Sequence, residues 1–324
     1  MDIKYLFGFP NINNMQDLAN EIQLSKYLIY HLSNNTEHFY KKAQIEKSNG
    51  KFRKIYCPSK KLKAVQAWIL RNILDYIPIE DPATGFRKDM NIRDNVAKHQ
   101  HNKYILCLDI KNFFDNIPRK WVYNLFLSLG YNEQLSLILT NICTYRDHLP
   151  QGGVTSPILS NILLKRFDRR ISGFCGKRNI TYTRYADDIS LSKNDPAILL
   201  KSKKTIINII EDEGFNINTN KTRILRPGNR REITGLILTD DDEIRIGRKK
   251  KRKIRAAIHH YIYGKEDIWE DHNKLANHIR GWLSFIHSID EKSYKQLIEY
   301  KNKLINKAVA NNIIENEAAV TNEI

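Results

Sequence analysis

The alternation of apolar and polar positions predicts a mixture of helices and strands along the whole chain. Gln16 to Ser33 reads as one helix. Phe39–Lys47 and Phe52–Pro58 flank the turn-rich Ser48-Asn49-Gly50-Lys51, the pattern of a β-hairpin. Val65, Ile69, Ile73 and Ile77 recur every fourth residue and give a helix one apolar face. Lys103 to Ile110 is an apolar run suited to a buried strand. Pro118 fits the first turn of a helix reaching about Leu129, and a second helix covers Glu133 to Tyr145. Ser156-Pro157 opens a further helix to about Ile171, with serine as cap and proline in the first turn. Thr181–Tyr185 and Ile189–Ser192 predict two short strands around Ala186-Asp187-Asp188. Arg231–Leu238 reads as one strand, and helices follow from Lys249 and around His278–His287, with Tyr261, Trp269 and Trp282 as core. A boundary is expected near Arg226–Arg230, where Pro227-Gly228-Asn229 sits among arginines.

Composition changes this picture in one respect. Hydrophobic residues make up 41% of the 324 positions, enough for a packed core, but 53 Lys and Arg stand against 36 Asp and Glu, a formal charge of +17. That excess points to a polyanionic partner, with nucleic acid ahead of an acidic membrane. No apolar run nears the roughly 18 residues of a membrane-spanning helix, and the start Met1-Asp2-Ile3-Lys4-Tyr5 lacks a secretory pattern. A cytoplasmic protein is expected. Cys57, Cys107, Cys143 and Cys175 are too far apart for a zinc knuckle and read as free thiols.

Two adjacent carboxylates, Asp187 and Asp188, at a hairpin tip repel each other unless cations neutralise them. Asp109 ends the strand of Leu108-Asp109-Ile110-Lys111-Asn112-Phe113-Phe114. If these strands are neighbours, three carboxylates converge, a donor set suited to two Mg²⁺ ions serving phosphoryl transfer. Arg248-Lys249-Lys250-Lys251-Arg252-Lys253-Ile254-Arg255 carries seven cations in eight residues. Read as a helix with charge on every face, it is expected to contact a phosphate backbone.

Asp109 with Phe113-Phe114, then Leu149-Pro150-Gln151-Gly152 with Thr155-Ser156-Pro157, then Tyr185-Ala186-Asp187-Asp188 follow the order of a reverse transcriptase palm, and the chain resembles that family. The resemblance implies an α+β right-hand polymerase fold: an N-terminal helix and fingers over 1–100, a palm with an antiparallel sheet over 101–228, and a helical thumb with C-terminal helices over 229–324. It assigns Asp109, Asp187 and Asp188 as the catalytic and metal-binding carboxylates, with the Ile110 carbonyl beside them. It also assigns Phe114, or else Phe113, as the ring that selects the sugar, and Gln151 and Arg53 as dNTP contacts, with Lys63 and Arg71 as weaker alternatives.

Stretches beyond the palm resemble the bacterial retron enzymes: Ile55-Tyr56-Cys57-Pro58-Ser59 with Leu62–Leu74, Tyr182-Thr183-Arg184, and Arg280-Gly281-Trp282-Leu283-Ser284-Phe285-Ile286. Asn95-Val96-Ala97-Lys98-His99 and Ile233-Thr234-Gly235 are similar to two retron elements, each with one substitution, and the resemblance implies nucleic-acid contacts at Asn95, His99, Thr234 and Gly235. It further implies an enzyme that binds its own structured noncoding RNA and starts DNA synthesis from the 2′-OH of an internal guanosine. The product would be branched multicopy single-stranded DNA (msDNA), an RNA–DNA hybrid. A host ribonuclease H would trim the template, and a separate effector protein would join the complex in defence against phage. A free-standing relative of group II intron reverse transcriptases, or a silent RNA-binding scaffold, are the other readings that the residues leave open.

Overall fold

The computed structural model describes residues 8–46, 50, 52–264 and 272–311. Most of the predicted hairpin turn after Glu46, and Trp269, lie outside them. In chain order the elements are α1 (Met15–Ile22), α2 (Lys26–Asn34), β1 (Tyr40–Glu46), β2 (Phe52–Pro58), α3 (Lys60–Asn72), α4 (Ile92–Ala97), β3 (Tyr104–Asp109), α5 (Arg119–Ser128), α6 (Glu133–Cys143), α7 (Ser156–Leu163), α8 (Lys165–Gly176), β4 (Thr181–Tyr185), β5 (Asp188–Lys193), α9 (Pro196–Asp212), β6 (Arg223–Leu225), β7 (Arg231–Ile233), β8 (Leu236–Leu238), β9 (Ile244–Ile246), α10 (Arg248–Tyr263), α11 (His272–Ile289) and α12 (Glu291–Ala310). They divide into two compact units: Met1–Asn91 with Ile105–Ile224, and Ile92–Tyr104 with Leu225–Ile324.

The first unit is built on an antiparallel hairpin, β1 against β2, with Tyr40 opposite Pro58 and Glu46 opposite Phe52, and on a four-stranded sheet in the order β4-β5-β3-β6. Leu62, Val65 and Ile69 bury one face of α3, as their spacing predicts. Ile73 is buried just past the helix end, and Ile77 follows a 3₁₀ turn. Gln66 is fully buried on the same face. Its amide donates to the Tyr40 hydroxyl (2.7 Å) and the Ile142 carbonyl (2.7 Å) and accepts from the Val154 N–H (3.0 Å). One side chain thus joins α3 to β1, α6 and the loop entering α7, and no polar atom of it is buried unpaired.

Three predicted elements are divided in the structure, each for a local reason. The first helix breaks because Gln23 turns left-handed (φ 57) and closes α1, while the Ser25 hydroxyl accepts from Leu28 N–H and starts α2. The helix opening at Ser156 has Thr155, not Ser156, at the cap position and divides at Leu164 into α7 and α8. Arg231–Leu238 is a hairpin rather than one strand: Ile233 pairs with Leu236 across Thr234 (φ 45) and Gly235 (φ 85), a two-residue turn that needs left-handed backbone at both positions.

The second unit is a three-stranded antiparallel meander, β7-β8-β9, with α4, α10, α11 and α12. Asp290 organises it. Its carboxylate caps α12 through Ser293 N–H (3.0 Å) and accepts from Ile246 N–H (3.0 Å) and Arg245 Nη1 (2.9 Å). Those donors hold the Asp290 carboxyl below the usual carboxylate range despite its burial.

Candidate active site

Asp109 is the last residue of β3, and it is 5% exposed. Its carbonyl accepts from Asn218 N–H (2.8 Å), and Lys111 N–H donates to the Asn216 carbonyl (2.8 Å), which fixes the strand end against the chain entering β6. On the other side Ile110 N–H donates to the Asp187 carbonyl (2.9 Å). Because β5 also neighbours β3 in the sheet, this bond closes the tip of the β4–β5 hairpin onto the end of β3.

That tip is a two-residue turn. Tyr185 pairs with Asp188, and Ala186, the first residue between them, takes φ 56. A left-handed alanine costs about 1–2 kcal/mol and has to be held by its surroundings. Two features hold it. Pro82–Gly85 runs alongside β4, with Arg184 N–H donating to the Pro82 carbonyl (2.7 Å) and Thr84 N–H to the Arg184 carbonyl (2.9 Å). Gly85 ends this strip, where a Cβ would lie 3.1 Å from Ala186 N and 3.2 Å from the Tyr185 ring.

Beneath the hairpin, Arg184 and Asp168 form a fully buried ion pair. Asp168 Oδ2 accepts from Arg184 Nη2 (2.6 Å), and Oδ1 accepts from Arg184 Nε (2.8 Å) and the Tyr182 hydroxyl (2.7 Å). Arg184 Nη1 donates to Asn161 Oδ1 (3.3 Å) and the Ala186 carbonyl (3.4 Å). The guanidinium so links α7, α8 and the strained turn.

The three aspartates sense one another. Burial, then the charge of Asp109, raises the Asp187 carboxyl, against the lowering pull of its own N–H, Lys221 and Arg53. Desolvation, then the charges of Asp187 and Asp109, pushes Asp188 up to about 6, although the residue as a whole is exposed at the tip. Lys221 donates to Asp109 Oδ2 (2.6 Å) and supplies one positive charge among three carboxylates. The donor set is hard oxygen with surplus negative charge, which fits a divalent cation. Among the described residues no three Asp, Glu, His or Cys side chains are already gathered around one metal position.

The remaining predicted residues fall into two groups. Phe114 is half-buried beside Phe86 (ring centroids 6.4 Å), which in turn adjoins Tyr185 (6.1 Å). Arg53 is exposed on β2 and is close enough to Asp187 for its charge to be felt there. Gln151 is tied to the same strand, its carbonyl accepting from Tyr56 N–H (2.8 Å). Gly152 (φ 116) follows, and a Cβ there would lie 2.6 Å from the Tyr56 carbonyl oxygen. Ile110 is buried, its N–H engaged with Asp187.

The second group is revised. Phe113 is a core ring, stacked on Phe215 at 6.2 Å, so its alternative role against the sugar is withdrawn. Asn95 and His99 are buried, and desolvation lowers the His99 imidazole to about 3, leaving it neutral. Their side chains offer no surface to a nucleic acid. Asn95 instead donates to the Thr234 hydroxyl (3.2 Å), and the Gly235 carbonyl accepts from Lys250 Nζ (3.0 Å), so both motifs build one structural node of the second unit. The basic run is not charged all round: Lys250 lies 5.9 Å from the Trp282 ring, Lys251 donates to Gln296, Arg255 stacks on Tyr300 (4.2 Å), and Ile254 is buried. Arg248, Lys249, Arg252, Lys253 and Arg255 are exposed. Tyr261 is core, whereas Trp282 is half-buried.

Lys221, Asp168, Gly85 and Phe86 escaped the sequence reading. Nothing in one sequence distinguishes Lys221 among so many cations or pairs Asp168 with Arg184. Gly85-Phe86 after Asp81-Pro82 carries a turn signal, but none that names its neighbour.

Residues 41–256 match the family described as Reverse transcriptase (RNA-dependent DNA polymerase). Over 299 residues the chain is 40% identical to the Retron Ec86 reverse transcriptase of Escherichia coli, covering 92% of this chain and 91% of that protein. The chain belongs to the bacterial retron reverse transcriptases. The Retron Mx162 reverse transcriptase of Myxococcus xanthus is 29% identical over 321 residues, 87% of this chain and 65% of that protein. Among solved structures, a Candida albicans telomerase is similar with a TM-score of 0.47 and 14% identity, covering 88% of this chain and 62% of that one. The reverse transcriptase is thus an RNA-directed DNA polymerase, and its family membership implies metal-dependent catalysis. Among the described residues no helix is long and apolar enough to cross a membrane.

Proposed function

We propose that this reverse transcriptase binds its cognate structured noncoding RNA and copies part of it into branched msDNA, starting from the 2′-OH of an internal guanosine. The observation that carries the reading is the 40% identity to a retron enzyme along nearly the whole of both chains. The joining of Asp109 and the Asp187-Asp188 tip through the Ile110–Asp187 bond supports the catalytic part.

Asp109, Asp187 and Asp188, with the Ile110 carbonyl, would hold two Mg²⁺ ions, which when bound activate the attacking hydroxyl and stabilise the leaving oxygen. The chain's own groups do the rest. Arg53 would meet the triphosphate, and its charge already reaches Asp187. Gln151, held to β2 by Tyr56 N–H, would line the nucleotide pocket. Phe114, backed by Phe86, would stand against the sugar and disfavour a ribose 2′-OH by bulk, with no hydroxyl partner to reward it. The Arg184–Asp168 pair and Gly85 hold the tip, so the two carboxylates need little reorganisation when substrate arrives.

The first unit would carry fingers and palm and the second the thumb, whose exposed Arg248, Lys249, Arg252 and Lys253 would meet RNA phosphates. We place the enzyme in the cytoplasm, with host ribonuclease H trimming the template and an effector protein joining it in phage defence. The test is extension of the cognate RNA with labelled dNTPs: a product that stays joined to RNA under denaturation and is released by debranching enzyme supports the priming mode. A product released by denaturation alone refutes it.

A further inference from the structure

A strongly basic cleft lies in the first unit, away from the aspartates. It has a volume of about 570 Å³ and is lined by Phe174, Lys177 and Arg178 at the end of α8, by Lys193 at the end of β5, and by Lys201, Ser202 and Thr205 on α9, among others. Four cations line it and no acidic residue does. The nearest carboxylate in sequence, Asp195, is committed to capping α9 through Ala197 N–H (2.9 Å) and Ile198 N–H (3.4 Å). Two of the cations are held in place. The Arg178 guanidinium sits 3.8 Å from the Phe174 ring centre and donates to the Phe174 carbonyl (3.0 Å). Lys193 Nζ donates to the carbonyls of Arg178 (2.6 Å) and Asn179 (3.3 Å).

The β4–β5 hairpin separates this cleft from the chemistry. Tyr185 and Asp188 pair at one end, Thr181 and Ser192 at the other, and four residue steps at about 3.3 Å put them some 13 Å apart. Like charges gathered in one cleft without a carboxylate repel one another, and a polyanion relieves that repulsion. Serine and threonine hydroxyls beside ammonium and guanidinium groups are the donors typical of phosphate contacts.

We infer that this cleft is a phosphodiester-binding exosite, which holds the backbone of a single-stranded stretch of nucleic acid while the distant aspartates extend the primer. The backbone can come from the RNA or from the growing cDNA, since both present the same phosphates.

The test uses the full chain and two fluorescent 20-nucleotide probes of one sequence, RNA and DNA, with binding measured from 50 to 300 mM salt. Lys177 and Lys201 are both exposed, so Lys177→Gln with Lys201→Gln should fold normally, and Lys177→Arg with Lys201→Arg keeps the charge. Each lost phosphate contact lowers the slope of log affinity against log salt by about 0.7 on single strands. The double glutamine variant should therefore lose about 1.4 and the arginine variant nothing. A loss on RNA alone names the RNA as the source, on DNA alone the cDNA, and on both a shared track; each supports the exosite. An unchanged slope on both probes, or an equal loss in the arginine variant, overturns it. Neutralising Lys249 and Lys253 in parallel tests the thumb contact separately, so failure of one reading is distinguishable from failure of the other.

Discussion

Asp168→Asn should unfold the support of the catalytic hairpin while changing almost no volume. In the native protein both Asp168 oxygens accept: Oδ2 from Arg184 Nη2 at 2.6 Å, Oδ1 from Arg184 Nε at 2.8 Å and Tyr182 at 2.7 Å, with both side chains at 0% exposure. An asparagine removes the negative charge and turns one acceptor into a donor. Whichever way the amide is oriented, an N–H then faces an N–H or O–H of Arg184 or Tyr182, and a guanidinium stays buried without its counter-ion. Breaking one partner of such a pair costs about 3–5 kcal/mol. For a unit of this size each kcal/mol moves the melting temperature by about 2–4 °C, so a fall of about 6–20 °C is expected. Calorimetry of the single variant, of Arg184→Met and of the double variant completes a cycle. Because replacing both charges leaves neither one buried alone, the double variant should melt above the Asp168→Asn protein. A loss under about 1 kcal/mol for Asp168→Asn, or strictly additive losses in the cycle, would refute the reasoning.

Phe114→Ala should raise ribonucleotide incorporation relative to deoxynucleotide, read as the ratio of kcat/KM values; an unchanged ratio moves the sugar gate elsewhere. Lys249→Gln with Lys253→Gln should weaken RNA binding and flatten its salt slope by about 1.8 on duplex RNA, taking the B-DNA value of 0.9 per contact, and an unaltered slope returns both lysines to a solvated face. Asp188→Asn tests the crowded carboxylates. A carboxyl raised to about 6 in the folded protein destabilises it in the ionised form, so wild-type stability falls as pH rises from about 4 to 6. The variant should therefore melt higher than wild type at pH 7 in chelator and equally at pH 4. Added Mg²⁺ should stabilise the wild type more than the variant, and a variant that melts lower at pH 7 contradicts the electrostatic account.

The palm motifs were legible because their chemistry is local. Asp109 closes a run of apolar residues, and Tyr185–Asp188 lies between two short strands, so strand ends and tip could be placed from pattern alone. Breaks within elements were harder. Gln23 and Thr234 adopt left-handed backbone that neither residue type announces, and only Gly235 beside Thr234 carried a signal. Long-range partners were invisible: Asp168 to Arg184 spans 16 residues, Lys221 to Asp109 spans 112, and in each case the sequence holds many equivalent charges. The two retron-like elements show how a structural partner stays hidden in a sequence. Asn95, His99 and Thr234 look like polar contact residues, yet they are enclosed or joined to each other, because a buried polar group needs a partner as much as a ligand does.

The most direct test of the central claim is the nucleic acid that copurifies with the protein from native host cells, compared between wild type and Asp187→Ala. Aliquots treated with DNase, RNase or debranching enzyme are resolved on a denaturing gel. The account predicts a short DNA that shifts on RNase and debranching treatment in the wild type and is missing from the variant, while the RNA is retained by both. RNA alone, identical in the two preparations, would contradict it.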